Sequence, residues 1–149
     1  MLRLKLSLWP VSLAVLLLLT PLTLSAAVNF SKVAVEVNQQ RYVVEYAHTS
    51  KQRSRGLMYR EQLCENCGML FRFSFASKVS MWMKNTPIDL DIAFISPSGV
   101  IREIRSMQAH DETSVRAQRK TMYAWEMHAG WFARNAIKVG DSIRLKPLE

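Results

Sequence analysis

Apolar side chains recur at every second position in a series of short runs, and that spacing rules out most architectures for this chain. Val33, Val35 and Val37 alternate with Ala34 and Glu36, and Met69, Phe71, Phe73 and Phe75 share one side of another run. Ile88, Leu90, Ile92 and Phe94 repeat the pattern, as do Tyr123, Trp125 and Met127. A period of two lines up one face of a β-strand, whereas a helix repeats every 3.6 residues. Between these runs, residues 42–47 read as the return strand of a hairpin turned at Asn38-Gln39-Gln40, and residues 79–84 as an extended segment. Residues 100–104 read as a strand after the turn Ser96-Pro97-Ser98-Gly99, and residues 142–146 as a last strand after Val139-Gly140-Asp141.

Helical signals are few. Thr49 or Ser50 caps a helix expected to run through Tyr59, in which Gly56 marks close backbone packing or an early end. A second, short helix is expected over residues 129–135, and the polar, aperiodic residues 106–120 read as a long loop. No strand–helix–strand alternation is expected from the spacing. The chain is therefore expected to be mainly β, a compact antiparallel sandwich or squashed barrel with one or two short helices. A small α+β roll is the alternative.

The N-terminus belongs to a different regime. Arg3 and Lys5 precede an apolar run over residues 11–19, shorter than the roughly 18–20 residues that span a bilayer. Ser25 and Ala27 then stand at the −3 and −1 spacing of a cleavage site. Residues 1–27 are expected to be a signal peptide, leaving residues 28–149 as a single domain in the periplasm or outside the cell. An uncleaved anchor over residues 6–24 is the alternative reading. The net charge of +8 includes Arg3 and Lys5, and the rest is spread along the chain rather than clustered. Such spacing describes a solvated face, so no nucleic acid is expected, while weak contact with an anionic membrane surface stays open. Cys64 and Cys67, in the order Cys-Glu-Asn-Cys, are the two cysteines. In an oxidising compartment they are expected to form a disulfide, with free or metal-bound thiols as the alternative.

Several separated motifs, in order, carry a family resemblance. Arg55-Gly56-Leu57-Met58-Tyr59-Arg60, Gly68-Met69-Leu70-Phe71, Met81-Trp82-Met83-Lys84-Asn85-Thr86, Leu90-Asp91-Ile92-Ala93-Phe94-Ile95 and Gly140-Asp141 together resemble domain-of-unknown-function family 192. The resemblance covers roughly residues 33–145. It implies a compact mainly-β domain, often behind a signal peptide, with no agreed activity. Two departures stand out. The family commonly has a proline before the Leu-Asp pair, where this chain has Asp89 and carries its proline at Pro87. Most members also lack the cysteine pair, so no role for Cys64 and Cys67 carries over.

Candidate site residues gather around the Met81–Thr86 motif. Lys84, Asn85 and Thr86 bring a charge, an amide and a hydroxyl to the end of an extended run, and Pro87 holds Thr86 extended. They either bind a ligand or satisfy a turn, with Lys84 pairing Asp89 or Asp91. Asp89 and Asp91, two apart in a strand, share a face and either divide chemical work or anchor Lys84, Arg55 or backbone amides. Glu126 is an acid in an otherwise apolar strand, with Arg55 as its expected partner. A shared ligand-binding cleft of Arg55, Lys84, Asn85, Thr86, Asp89, Asp91 and Glu126 is therefore expected. Met58, Met69, Met81, Met83 and Met127 raise copper binding as a further idea, weighed against ordinary core packing. His48, His110 and His128 show no ligand spacing. No catalytic residue, cofactor or resident metal is assigned. The expected function is that of a monomeric, exported accessory or binding module for a small molecule or an exported protein. Its alternatives are a hydrolase-type enzyme using Asp89, Asp91 or Glu126, and a periplasmic copper-binding protein.

Overall fold

The computed structural model describes residues 27–148, so the expected signal segment falls almost entirely outside the described residues. Nine strands and two short helices follow in the order β1 (Ser31–Val37), β2 (Gln40–Ala47), α1 (Ser50–Arg55), β3 (Gly68–Ser77), β4 (Ser80–Met81), β5 (Leu90–Ile95), β6 (Ile101–Met107), β7 (Val115–Arg116), β8 (Thr121–His128), α2 (Trp131–Arg134) and β9 (Arg144–Lys146). Seven strands form one sheet in the order β6-β5-β8-β3-β2-β1-β9, and β4 pairs with β7 in a separate ribbon. Among the described residues, no helix is long and apolar enough to cross a membrane.

The mainly-β reading holds. Hairpin β1–β2 turns on two residues only, Asn38 and Gln39, both at positive φ (49° and 64°). Two such residues give the turn whose twist matches that of the flanking strands, and asparagine tolerates it best after glycine. The pair β2–β3 is parallel, with Glu45 opposite Met69 and Ala47 opposite Phe71, while the other pairs are antiparallel. A parallel pair needs a crossover, and α1 with the Cys64–Cys67 loop supplies it. The two edge strands approach each other through the bridge Val100–Ser142, where Ile143 N donates to Gly99 O at 2.8 Å and Ile101 N to Asp141 O at 2.8 Å. This contact curls the sheet toward a half-barrel.

Both faces of the sheet are covered. On one face Val33, Val35, Leu70, Ile95, Trp125 and Met127 pack with Trp131 and Phe132 of α2. On the other, Met69, Phe71, Ile92, Phe94 and Ala124 pack with Leu57 beyond α1 and with Val79, Met83, Met107 and Ala117. Strand β5, covered on both sides, is buried along its whole length, Asp91 included.

Four local expectations need correction. Helix α1 stops at Arg55 rather than Tyr59, because Gly56 caps it with φ 46° and ψ −140°. Its start is a capping box, Gln52 N donating to Thr49 Oγ1 and Thr49 N to Gln52 Oε1. Helix α2 is a single turn, Trp131–Arg134. Strand β5 begins at Leu90, so Asp89 precedes it and does not share a strand face with Asp91. The expected 106–120 loop contains the end of β6 and all of β7. Two residues, Val115 and Arg116, are too few to show a period, and β4 across the ribbon gives them their pairing.

Candidate functional site

Two turns clasp each other over the second face of the sheet. Beyond Gly56, the chain drives Leu57 into the core and places Tyr59 at positive φ (66°). Facing it, the Met83–Thr86 turn closes with Thr86 N donating to Met83 O at 3.1 Å and puts Asn85 at φ 52°. Tyr59 N donates to Asn85 O at 2.7 Å, and Asn85 Nδ2 donates to Tyr59 Oη at 2.9 Å. A left-handed conformation costs a non-glycine residue about 1–2 kcal/mol, and this reciprocal pair of hydrogen bonds holds both residues there. Between the turns opens a cleft of about 170 Å³. Arg53, Arg55 and Met58 line one side, Met81, Trp82, Met83 and Thr86 the other, and Phe71, Phe73, Leu90 and Glu126 the remainder.

Glu126 is the unusual member. Alternation along β8 sends Trp125 and Met127 to the first face and Glu126, with Ala124, to the second. Its pairing neighbours are apolar, Met69 on β3 and Ile92 on β5. The residue is 4% exposed and has no hydrogen-bond or ion-pair partner among the described residues. Burial pushes its pKa up to about 8. At neutral pH the cleft therefore contains a neutral carboxylic acid, able both to donate and to accept a hydrogen bond. Glu126 borders the open cleft, and a polar group left unmatched there costs about 1–3 kcal/mol.

Each cation near the cleft is paired with an aromatic ring. Arg53 lies 5.9 Å from the Phe73 centroid and is fixed by donating to His48 O at 2.7 Å and Arg72 O at 3.0 Å. The Arg55 guanidinium sits 4.5 Å from the Tyr59 centroid, and Lys84 Nζ 5.4 Å from that of Trp82. Among the described residues the ion pairs are Arg60–Glu45 and Arg105–Glu103. The expected pairs Arg55–Glu126 and Lys84 with Asp89 or Asp91 do not form.

The structure thus brings Arg55, Thr86 and Glu126 to one cleft, and leaves Lys84, Asn85, Asp89 and Asp91 off its lining. Thr86 is buried, and its hydroxyl donates to Lys84 O at 3.2 Å. Asn85 shapes the cleft through its bonds to Tyr59. The aspartates anchor loops elsewhere. Asp91 Oδ1 accepts from Ser106 Oγ and Oδ2 from Gly130 N, both at 2.7 Å, and Asp89 Oδ1 accepts from Ala109 N at 2.7 Å. Both oxygens of Asp91 and one of Asp89 thus hold neighbouring segments in place. Of the methionines, Met58, Met81 and Met83 meet at the cleft, while Met69 and Met127 lie in the two cores.

Cys64 and Cys67 stand at disulfide distance, with Cα atoms 5.0 Å apart. They border a second cleft of about 150 Å³ that also takes in Glu45 and Arg60. Asn66, between them, accepts from Trp131 Nε1 at 3.0 Å, tying this loop to the aromatic core. Arg53, Met58 and Phe73 were not singled out from the sequence as cleft residues. Their convergence depends on where α1 stops, and only Gly56 hinted at that.

The family model of domain-of-unknown-function family 192 (Uncharacterized ACR, COG1430) matches residues 33–145. Among solved structures, the chain is similar to a "putative transcription regulator" from Sinorhizobium meliloti 1021, with TM-score 0.76 and 34% identity over 80% of this chain and 98% of that one. It is also similar to a protein of unknown function from Novosphingobium aromaticivorans DSM 12444, with TM-score 0.70 and 33% identity over 77% of this chain and 84% of that one. No curated protein matches the chain.

Proposed function

The chain belongs to domain-of-unknown-function family 192, and we propose that it acts as an exported accessory module that binds a small molecule in the cleft between the Gly56–Tyr59 and Met83–Thr86 turns. One observation carries this reading: Glu126, buried and without a partner, borders a cleft open to solvent. Binding sites commonly combine apolar walls with a few polar groups, one or more of shifted pKa, and this cleft sets Phe71, Phe73, Leu90 and three methionines beside Arg55 and Glu126. Export rests on Arg3, Lys5, the apolar run and the Ser25-Ala26-Ala27 segment. A cysteine pair at disulfide distance agrees with an oxidising compartment.

The test is native mass spectrometry of protein recovered from the periplasmic or secreted fraction, set beside Met81→Trp. The larger side chain would fill the cleft from its half-buried wall. A small molecule that accompanies the natural protein and is lost from a folded Met81→Trp supports the reading. Retention of that molecule in Met81→Trp, or recovery of the protein in the cytosol alone, contradicts it.

A second reading draws on Met58, Met81 and Met83, which bring three soft thioethers to the same cleft, a donor set suited to Cu(I). Arg53 and Arg55 oppose a cation there, which makes it the weaker reading. Titration with Cu(I) against a competing chelator, repeated on Met58→Leu and Met81→Leu, separates the two.

A further inference from the structure

We propose that the ligand of this cleft is a small amphipathic carboxylate, with its hydrocarbon end among Phe71, Phe73 and the methionines and its carboxylate at Arg55. This rests on the binding-module reading above and adds the chemistry of the ligand.

Charge is the first reason. The charged groups facing Glu126 across the cleft are Arg53 and Arg55, both from the last turn of α1. Strands β3, β4 and β5 and the Met83–Thr86 turn contribute uncharged side chains to its lining. Arg53 is committed to the His48 and Arg72 carbonyls and acts as a fixed positive charge. Arg55 has no carboxylate partner among the described residues, and its guanidinium lies over the Tyr59 ring with donors to spare. A guanidinium at the edge of an apolar opening matches a carboxylate with two parallel N–H donors.

Size and floor chemistry agree. An apolar cavity of about 150 Å³ accepts benzene, and this cleft offers about 170 Å³. A phenyl or branched aliphatic group fills it. Glu126, neutral when buried, adds no opposing negative charge to the ligand's, and burial holds it neutral up to about pH 8. Once ionised, it would repel the ligand. Affinity for the carboxylate is therefore expected to fall as pH rises through that range.

The experiment titrates the purified protein with 3-phenylpropionate, 3-phenylpropionamide and 3-phenylpropylamine, following backbone amide NMR resonances. The expected result is that phenylpropionate shifts Arg55–Met58, Met81–Met83 and Glu126, and binds at least tenfold more tightly than the amide. Arg55→Gln should weaken it at least tenfold with the melting temperature unchanged. Affinity in the natural protein should drop at least fivefold between pH 7 and pH 9, and Glu126→Gln should abolish that drop. An amide or amine that binds the cleft as tightly as the carboxylate overturns the proposal while leaving the binding-module reading intact. So does indifference to Arg55→Gln. If none of the three moves the cleft resonances, the proposal also falls, and the module reading then stands or falls on the co-purification result.

Discussion

The two faces of the sheet bury hydrocarbon in opposite ways. On the first, Trp125 lies edge-on to Trp131 and Phe132 with centroids 5.2 Å apart in each case, and Tyr42 meets Trp131 at 4.7 Å. Rigid rings in such contacts leave little space and gain beyond their buried area. On the second, flexible methionines, a clasp of two turns and a lone carboxylic acid surround an opening. The same strand, β8, supplies both, Trp125 to the sealed face and Glu126 to the open one. The first face is built for stability. The second gives up some of it to an open cleft, although the first has an unmatched group of its own, Trp125 Nε1, which is buried without a hydrogen-bond partner among the described residues.

The comparison breaks first at the aromatic face. Trp131→Ala is expected to cost about 3–5 kcal/mol, through lost burial and the cavity left behind. Chemical denaturation measures it, and a loss under 1 kcal/mol would mean that the ring cluster does not hold α2.

Glu126→Gln is expected to act in the other direction. The folded-state pKa lies above the unfolded 4.5, at about 8. The unfolded chain therefore releases this proton first, and stability falls as pH rises between those values. Glutamine removes that penalty, giving a gain of up to about 4 kcal/mol at pH 8 that fades toward pH 4. Denaturation curves across the range check it, and a substitution that destabilises at pH 8 contradicts the assignment.

Gly68→Ala tests the seam between the faces. An added Cβ would collide with the Glu126 carbonyl oxygen and Met127 Sδ across the β3–β8 pairing. A loss of about 3 kcal/mol is expected. Gly56→Ala should cost less, about 1–2 kcal/mol. Its φ of 46° is unfavourable for alanine, and the new Cβ would stand 3.3 Å from the Phe71 ring. Replacing both cysteines with serine is the smallest change, about 2 kcal/mol or less, because the loop they close is so short.

How much of this could be read from the sequence follows the same division. Strands β1, β3 and β8 announced themselves by period two, because along each most of the bulky apolar side chains fall on one face, with smaller or polar residues interspersed on the other. Glu126 stood out as an acid in the otherwise apolar run of β8. Parallel pairing of β2 with β3 left no local mark, since it depends on how a crossover returns. The β4–β7 ribbon is too short for a period. The aspartates illustrate the opposite error: Asp89 and Asp91 looked like a pair by spacing. Strand β5 starts two residues later than the apolar run suggested, and donors far along the chain, Ser106, Ala109 and Gly130, engage both oxygens of Asp91 and Oδ1 of Asp89. The Tyr59–Asn85 clasp was illegible for a similar reason, because positive φ at a tyrosine is imposed by its partner and not by its own preference.

Direct titration of the Glu126 carboxyl tests the centre of this account. With glutamate labelled at the side-chain carboxyl carbon and Glu126→Gln used to assign the signal, ¹³C NMR follows its protonation from pH 4 to pH 10. A neutral acid at the cleft predicts a midpoint of about 8 in the free protein. A midpoint at or below the ordinary 4.5 would mean that Glu126 is solvated or paired with Arg55, and would contradict the account.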